Sequence, residues 1–304
     1  MESNEDRSGV LAALSDGMAA AVETVAPSVA RVHGRRRRPA SGVVFADGMV
    51  LTASHAVERE EDLSVGTPDG RTLAARFVGR DSASDLAVLR VEDLGVEVAT
   101  PVEGEARVGQ LALAVGRSGR GGGVRATFGI VGAVGGPLRT RWGGRLERYI
   151  QTDATLYPGL SGGVLADVSG RVMGVVTTGL SRGIALAVPA DLAWQTAATL
   201  AEKGSVKRGY LGILSQPVRL PEAQRAGLEQ RSGLMVVGVE EDSPAGRGGV
   251  LLGDVVASLD GYAVGDTEDL LSLLVGDRVG RSVPVEVVRG GQLATLQVTV
   301  GERG

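Results

Sequence analysis

Short apolar runs separated by glycine-rich turns fill the chain between residues 43 and 189. The runs read as short alternating strands, which predicts two small antiparallel barrels. Residues 9–30 differ, because apolar side chains recur there at helical spacing, at Leu11, Leu14, Met18, Val22 and Val25. A closing helix is expected over residues 191–203, and Gly204-Ser205 marks the joint to a second domain. The pattern predicts a mostly β protein made of three segments, residues 1–30, 31–204 and 205–304.

The composition of the 304 residues narrows the chemistry. Hydrophobic residues make up 43% of the chain, which is enough for a core in each of two domains. The chain has no cysteine and only two histidines, so we expect neither disulfides nor a metal site, and no cofactor. The net charge of −4 gives no reason to expect nucleic-acid binding. The basic run at residues 35–38 is interpreted as a solvated loop, with a site for an anionic partner as the alternative.

The string Tyr157-Pro158-Gly159-Leu160-Ser161-Gly162-Gly163 sets a serine in a glycine-dense turn. The glycines allow a tight turn, and the backbone N–H groups of Gly159 and Ser161 are candidates to bind a developing oxyanion. A flexible linker has a similar composition, but the apolar residues on both sides argue against one. Ser161 is therefore a candidate nucleophile that needs a base.

A base and an acid can be assigned from two other apolar runs. His55 lies in the run of residues 49–57, which reads as a buried strand that delivers the imidazole into the start of a helical turn, although a structural histidine is the alternative. His33 precedes the arginine run and is expected in a solvated loop. Asp85 stands directly before a second apolar strand, where its carboxylate can be buried against an imidazole, whereas Asp81 is expected to be exposed. The order histidine, aspartate, serine is the chymotrypsin-type order.

These motifs resemble the HtrA (Deg-type) family of trypsin-like serine proteases with a C-terminal PDZ domain. The family's histidine motif corresponds to residues 47–57, its Ser-Asp-Leu-Ala-Val-Leu motif to residues 84–89, and its Gln-Thr-Asp-Ala motif to residues 151–154. The nucleophile motif departs from the family pattern, since Leu160 replaces an asparagine and Val164 replaces a proline. The resemblance implies a chymotrypsin-like double β-barrel protease domain followed by a PDZ domain, a β-sandwich with helices.

The resemblance also implies the roles of the site residues. His55, Asp85 and Ser161 would form a catalytic triad, and the amides of Gly159, Leu160 and Ser161 would form the oxyanion hole. The substrate pocket would be lined by Thr155, Val175, Val176 and Thr177. Because Thr155 stands where enzymes that cut after Lys or Arg carry an acid, we expect cleavage after small or aliphatic residues. Asp153 is expected to serve structure instead.

The second domain begins with a string that resembles the carboxylate-binding loop of HtrA-type PDZ domains. Tyr210, Leu211, Gly212 and Ile213 are the expected contacts to a peptide. An extended C-terminal peptide would add as a strand beside residues 211–215. One side of the helix expected over residues 267–274 would line the groove, although most of its leucines are expected in the core.

The family resemblance implies an ATP-independent endopeptidase that degrades unfolded or damaged proteins in stress and quality control, regulated by C-terminal peptides at its PDZ domain. A catalytically weak, chaperone-like peptide-binding scaffold is the alternative, and regulated site-specific cleavage is a third possibility. Unfolded polypeptides and C-terminal peptides are the expected partners, and a homotrimer or higher oligomer is expected, with the N-terminal helix packing subunits together.

Because Asp16 and Glu23 interrupt that helix and the first residues are acidic, we expect neither a membrane span nor a cleavable leader. A cytoplasmic location is expected, with the periplasm as the alternative.

Overall fold

The structure is a computed structural model that describes residues 2–35, 38–118, 122–140, 145–181, 183–204, 208–274 and 278–303. The chain divides into two compact units, Met1–Val206 and Lys207–Gly304. The first unit holds two closed antiparallel barrels, and the second holds a sheet with short helices. The predicted fold class, mostly β with a double barrel followed by a β-rich second unit with helices, is confirmed.

The first barrel follows helix α1, Glu2–Val25. Its strands are β1 (Val29–His33), β2 (Ala40–Ala46), β3 (Met49–Ala53), β4 (Leu63–Gly66), β5 (Thr72–Asp81) and β6 (Leu86–Val91). They close in the order β1-β2-β3-β6-β5-β4. Every residue of β3 is buried, because one side of this strand faces the barrel interior and the other faces packed neighbours.

The second barrel is built from β7 (Leu111–Arg117), β8 (Val124–Gly135), β11 (Tyr149–Thr152), β12 (Val164–Ala166), β13 (Val172–Thr177) and β14 (Ala185–Pro189). It closes in the order β11-β14-β13-β12-β7-β8, and the short hairpin β9 (Leu138–Arg139) and β10 (Arg145–Leu146) lies between β8 and β11 in the chain. Helix α2, Ala190–Lys203, follows and packs Ala193, Ala197 and Leu200 into the core. Gly204 ends it in the left-handed conformation, with φ of 72°, as is usual for a helix C-terminus.

Helix α1 differs from its predicted range. It ends at Val25 rather than at residue 30, because Pro27 disfavours helical backbone and the chain turns through Ala26–Ser28 into β1. Its C-terminal part is packed, with Ala21 and Val25 buried, whereas the side chains of Val10, Leu11 and Leu14 are exposed.

The segment Gly9–Ser28 is long and apolar enough to cross a membrane by length and composition, with a mean hydropathy of 1.3. The expectation that Asp16 and Glu23 exclude this is wrong, because two acidic residues do not outweigh the apolar remainder of the segment. Only 11% of the most apolar 18-residue stretch of this segment is buried within the protein. Composition therefore allows a signal sequence or a span here, although the buried end of the helix is part of the folded unit.

The second unit contains β15 (Arg208–Tyr210), β16 (Ile213–Arg219), β17 (Ser232–Val239), α3 (Pro244–Arg247), β18 (Val255–Leu259), β19 (Tyr262–Ala263), α4 (Thr267–Leu273), β20 (Ser282–Arg289), β21 (Gln292–Thr299) and β22 (Gly301–Arg303). Its main sheet has the order β16-β17-β18-β20-β21, with β19 beside β18, and β15 pairs with β22. Leu270 and Leu274, in and after α4, are buried in the core of this unit. Strand β16 lies at one edge of the main sheet.

Candidate active site

The first barrel supplies an imidazole and a carboxylate that touch each other. His55 lies in a short helical turn directly after β3, and Asp85 stands directly before β6, where β3 and β6 pair. The His55 Nδ1 atom lies 2.6 Å from Asp85 Oδ2, and the His55 backbone N–H donates to Asp85 Oδ1 at 2.9 Å. Asp85 is 1% exposed. A carboxylate at Nδ1 keeps the proton of a neutral imidazole on that atom, which leaves Nε2 free to accept one.

The second barrel holds the buried carboxylate from the other side. Thr177, at the end of β13, donates its hydroxyl to Asp85 Oδ2, and the Gly179 N–H donates to Thr177 Oγ1 at 2.9 Å. Gly179 lies so close that a Cβ there would be 2.2 Å from Asp85 Oδ2 and 2.6 Å from His55 Nδ1. Thr177 was expected in the substrate pocket, but its side chain is buried and engaged with Asp85 and does not face an open pocket.

Ser161 lies in the turn between β11 and β12, against the strand that leads to His55. A Cβ on its neighbour Gly162 would lie 2.5 Å from Thr52 Oγ1 and 2.9 Å from Ala53 N. The Ser161 Oγ atom lies 3.1 Å from Thr178 Oγ1 and accepts the Thr178 N–H at 3.3 Å. Within the described part of the chain, no hydrogen bond joins Ser161 to His55.

The turn before Ser161 is fixed by Ser41 of β2. The Ser41 hydroxyl donates to Gly159 O at 2.8 Å, and the Ser41 N–H donates to Ser161 O at 3.2 Å. Gly159 has φ of 95°, a conformation that suits glycine. Among the residues that the structure describes, neither the Gly159 N–H nor the Ser161 N–H has a hydrogen-bond partner. Two backbone donors therefore remain available beside the serine hydroxyl.

Leu160 does not fit the role expected of it in the oxyanion hole. Its N–H donates to Tyr157 O at 3.0 Å, so that amide is already used. Its side chain is fully buried and lies against Gly116. The leucine in this departure from the family motif is thus a core residue.

The expected pocket residues are spread over different environments. Val175 and Val176 are both fully buried, and they pack into two different clusters of the barrel core, so neither lines an open pocket. Thr155 is exposed, and its carbonyl accepts the Thr127 hydroxyl at 2.9 Å. Asp153 accepts the Ile130 N–H at 2.7 Å and so supports the neighbouring strand, as expected.

Three further side chains differ from their predicted surroundings. His33 ends strand β1 and is half-buried rather than in a solvated loop, and burial lowers the pKa of its imidazole, as do Arg31 and Arg59. Asp81 is only 5% exposed. Its carboxylate accepts hydrogen bonds from the Ser84 hydroxyl and from the Ala83 and Ser84 N–H groups, and these bonds shape the turn before Asp85. Arg35 is half-buried and donates to His55 O at 2.5 Å, while residues 36 and 37 lie outside the described residues.

Sequence reasoning missed two residues of the site, Ser41 and Thr178. Ser41 had a signal, because it is a lone hydroxyl in the otherwise apolar run Ala40–Ala46. A fully buried hydroxyl in such a strand needs partners, and these are the nucleophile turn and the Arg117 N–H. Thr178 had no such signal in the sequence. It follows the buried strand β13, and its contact with Ser161 is made only in the folded chain.

The second unit presents a loop and a strand edge. The carbonyls of Leu211 and Gly212 accept hydrogen bonds from Ala245 and Glu240, at 2.8 and 2.9 Å. Their own N–H groups have no partner among the described residues. Gly212 has φ of 76°, and a Cβ there would lie 2.2 Å from Ser243 Cβ. Leu211 is buried and so is anchored in the core rather than exposed to a ligand.

Comparison with known proteins agrees with this architecture. Residues 40–175 match the family model of the trypsin-like peptidase domain, and residues 209–300 match that of the PDZ domain. A protein named probable periplasmic serine endoprotease DegP-like, from Ectopseudomonas mendocina, is 36% identical over 286 residues, which cover 90% of this chain and 60% of that protein. The corresponding protein of Halomonas elongata is also 36% identical, over 91% of this chain and 59% of its own length. The chain thus spans about 60% of the length of these curated relatives.

Solved structures match over a larger share of their length. The HtrA-type protease AlgW with a decapeptide has a TM-score of 0.77 at 31% identity, covering 94% of this chain and 99% of that one. A serine endoprotease from Yersinia pestis has a TM-score of 0.78 at 30% identity, covering 94% and 98%. With two barrels, a PDZ domain and this identity over nearly the whole length of a solved relative, the chain belongs to the HtrA-type family of trypsin-like serine proteases.

Proposed function

We propose that the protein is a serine endopeptidase in which Ser161 is the nucleophile, His55 the general base and Asp85 the group that orients the base. The observation that carries this is the 2.6 Å contact between His55 Nδ1 and the buried Asp85 carboxylate, which leaves Nε2 ready to accept the serine proton. His55 takes that proton as Ser161 Oγ attacks a peptide carbonyl, and returns it to the leaving amine. The N–H groups of Gly159 and Ser161 hold the oxyanion.

We propose unfolded or damaged polypeptides as the substrates, with cleavage after small or aliphatic residues. Support comes from Thr155, an exposed and uncharged side chain where a preference for Lys or Arg would need an acid. Digestion of an unfolded model protein, followed by sequencing of the products, tests this. Products that end mainly in Lys or Arg would contradict the proposed preference.

The proposed nucleophile is tested with a fluorophosphonate. The serine oxygen displaces fluoride from phosphorus, forming a P–O bond and breaking the P–F bond, while His55 takes the proton. We expect labelling of the full chain at Ser161 and none in Ser161→Ala. The absence of labelling in a folded wild-type protein would refute the enzymatic proposal.

The second candidate function is a catalytically weak scaffold that binds peptides. The contact between Ser161 and Thr178 favours the scaffold, because the Ser161 hydroxyl is bonded to Thr178 and not directed at His55 in this structure. Peptide binding without labelling of Ser161 would support the scaffold.

We propose that the PDZ unit binds the C-terminus of an extended peptide and thereby regulates cleavage. The unpartnered N–H groups of Leu211 and Gly212 suit a terminal carboxylate, and the edge strand β16 suits a peptide added as a further strand. Tyr210 and Ile213 flank this loop, and the Tyr210 hydroxyl donates to Glu240. Titration of the full chain with a peptide and its C-terminally amidated form should show binding of the free acid only.

We propose a location outside the cytoplasm and a homotrimeric or higher assembly. The relatives named periplasmic, together with the apolar segment Gly9–Ser28, support the location and favour it over the cytoplasmic expectation. Cell fractionation of the full chain, with sequencing of the N-terminus of the mature protein, tests the location. Sedimentation equilibrium tests the assembly, and a monomer would contradict it.

A further inference from the structure

Two adjacent threonines at the end of β13 hold two members of the proposed triad. Thr177 is buried and donates to the Asp85 carboxylate, as described above. Thr178 is exposed and contacts Ser161 through both its hydroxyl and its backbone N–H, at 3.1 and 3.3 Å. The first contact supports the acid, and the second takes up the hydrogen-bonding capacity of the nucleophile.

We infer that Thr178 is a positioning residue that holds the Ser161 hydroxyl away from His55, so that the resting enzyme is partly latent. This rests on the proposed function, because it assigns a regulator to the same nucleophile. The inference depends on the hydroxyl of Thr178 and not on its bulk. A threonine hydroxyl can be removed at almost constant shape by changing the residue to valine.

The argument holds for either placement of the hydroxyl protons. A serine hydroxyl has one proton to donate and two lone pairs that accept. When Ser161 donates to Thr178 Oγ1, its proton points away from His55 and cannot be abstracted. When Thr178 donates instead, its hydroxyl and its N–H together occupy both lone pairs of Ser161 Oγ, and one of them is needed for attack. In both cases the contact has to break before the serine reacts.

The position of Thr178 allows such a release. Its side chain is exposed, whereas Ser161 is 7% exposed and Thr177 is 1% exposed. A polypeptide entering the site therefore meets the Thr178 side chain at the surface and can turn its hydroxyl away from the serine. Occupation of the site and release of the nucleophile are coupled in this way.

The size of the effect follows from one ordinary hydrogen bond. The bond from the Thr178 N–H survives any side-chain change, so only the hydroxyl contact is removed. Loss of one such contact corresponds to a rate increase of about 2- to 10-fold. The rate at which a small reagent acylates or phosphorylates Ser161 measures this increase, because such a reagent does not occupy the peptide subsites.

The test is the second-order rate of fluorophosphonate labelling of Ser161 in the full chain. We expect Thr178→Val to label about 2- to 10-fold faster than wild type, and Thr178→Ser, which keeps the hydroxyl, to label at the wild-type rate. Thr199→Val is the matched control, since Thr199 donates to Gln195 O on α2, outside the site, and its rate should not change. Kinetics with a peptide substrate should show the gain of Thr178→Val as a lower KM with kcat nearly unchanged, because a bound polypeptide has already displaced the hydroxyl.

The outcomes separate this inference from the proposed function. Equal or slower labelling of Thr178→Val beside a reactive wild type overturns the inference alone, as does a Thr178→Ser variant that labels as fast as the valine variant. Failure of both wild type and Thr178→Val to label, with both shown to be folded by circular dichroism, overturns both proposals. A reactive wild type beside a Thr178→Val variant that labels about 2- to 10-fold faster supports both.

Discussion

Removal of the Ser41 hydroxyl tests how the proposed oxyanion site is held. In Ser41→Ala the Gly159 carbonyl loses its 2.8 Å donor, and the Arg117 N–H loses its 2.9 Å acceptor. The backbone bond from Ser41 N to Ser161 O remains. Ser41 is fully buried, so water does not easily replace the lost hydroxyl. The substitution therefore loosens the turn at Gly159 and leaves the serine in place.

The structure sets the expected magnitudes. One buried and one part-buried backbone group lose their partner, and at about 1–3 kcal/mol for each orphaned group the total loss in the free energy of unfolding is roughly 2 to 6 kcal/mol. Removal of a whole oxyanion donor lowers kcat by about 10²–10³. Because Ser41→Ala only frees the Gly159 peptide to reorient, we expect a smaller fall in kcat, about 10- to 100-fold, with KM nearly unchanged.

Both effects can be measured on the full chain. Tryptophan occurs only at positions 142 and 194, so tryptophan fluorescence in denaturant reports the unfolding of the first unit alone. Peptide hydrolysis gives kcat and KM. Ser28→Ala is the matched control, since Ser28 is also buried and donates to a carbonyl, Val25 O at 2.8 Å, but outside the site. It should lose about 1 kcal/mol of stability and keep the wild-type kcat.

One result would refute the reasoning about Ser41. If Ser41→Ala were destabilised as expected but kept the wild-type kcat, the orientation of the Gly159 peptide would not depend on this hydroxyl. An equal loss of kcat in Ser28→Ala would mean that general destabilisation, and not the turn, lowers the rate.

Three further predictions concern the core, the PDZ unit and pH. Leu160→Ala should lower the stability of the first unit by about 2–5 kcal/mol, as for other large buried residues, and a loss below about 1 kcal/mol in a fluorescence melt would show that Leu160 is not a core residue. Burial opposes ionisation of Asp254, but hydrogen bonds from Arg289 and the Leu251 N–H hold its pKa below the usual value. This pair therefore stabilises the fold above the unfolded pKa of about 3.9 and ceases to do so as pH falls through the lower folded pKa. Asp254→Asn should have a lower Tm than wild type at neutral pH, by calorimetry, and the difference should vanish in strong acid; a difference that persists there would contradict the assignment. Gly212→Ala should weaken binding of a C-terminal peptide at least about tenfold, by titration calorimetry, because its Cβ would meet Ser243; unchanged affinity would exclude this loop from the site.

The strand pattern predicted the two barrels, and the resemblance of short motifs to the HtrA family implied the PDZ domain. Short apolar strands, glycine turns and the motifs around His55, Asp85 and Ser161 are all visible within a few residues. The end of α1 was predicted too late, although Pro27 gave a signal for it.

The pocket could not be placed from the sequence. Strand β13 is buried on both faces, since Val175 and Val176 pack into different clusters, so the usual alternation of exposed and buried positions is missing. Without it, the side to which Thr177 points cannot be read from its neighbours. Asp81 was misplaced because a polar residue beside a turn was taken as exposed, although its partners lie within three residues in the same turn. His33 was misplaced because β1 extends through it and half-buries it.

The proposed triad lies at the seam between two barrels, with His55 and Asp85 supplied by one and Ser161 by the other. One buried apolar cluster joins the two barrels, with Leu51 and Leu86 from the first and Val115 and Val164 from the second, and a relative shift of about an ångström is enough to ruin catalytic alignment. The proposed hydrolysis is therefore expected to be the most sensitive measure of how well the two barrels are docked, and mild stress should abolish it while the spectroscopic signature of β-structure is still intact.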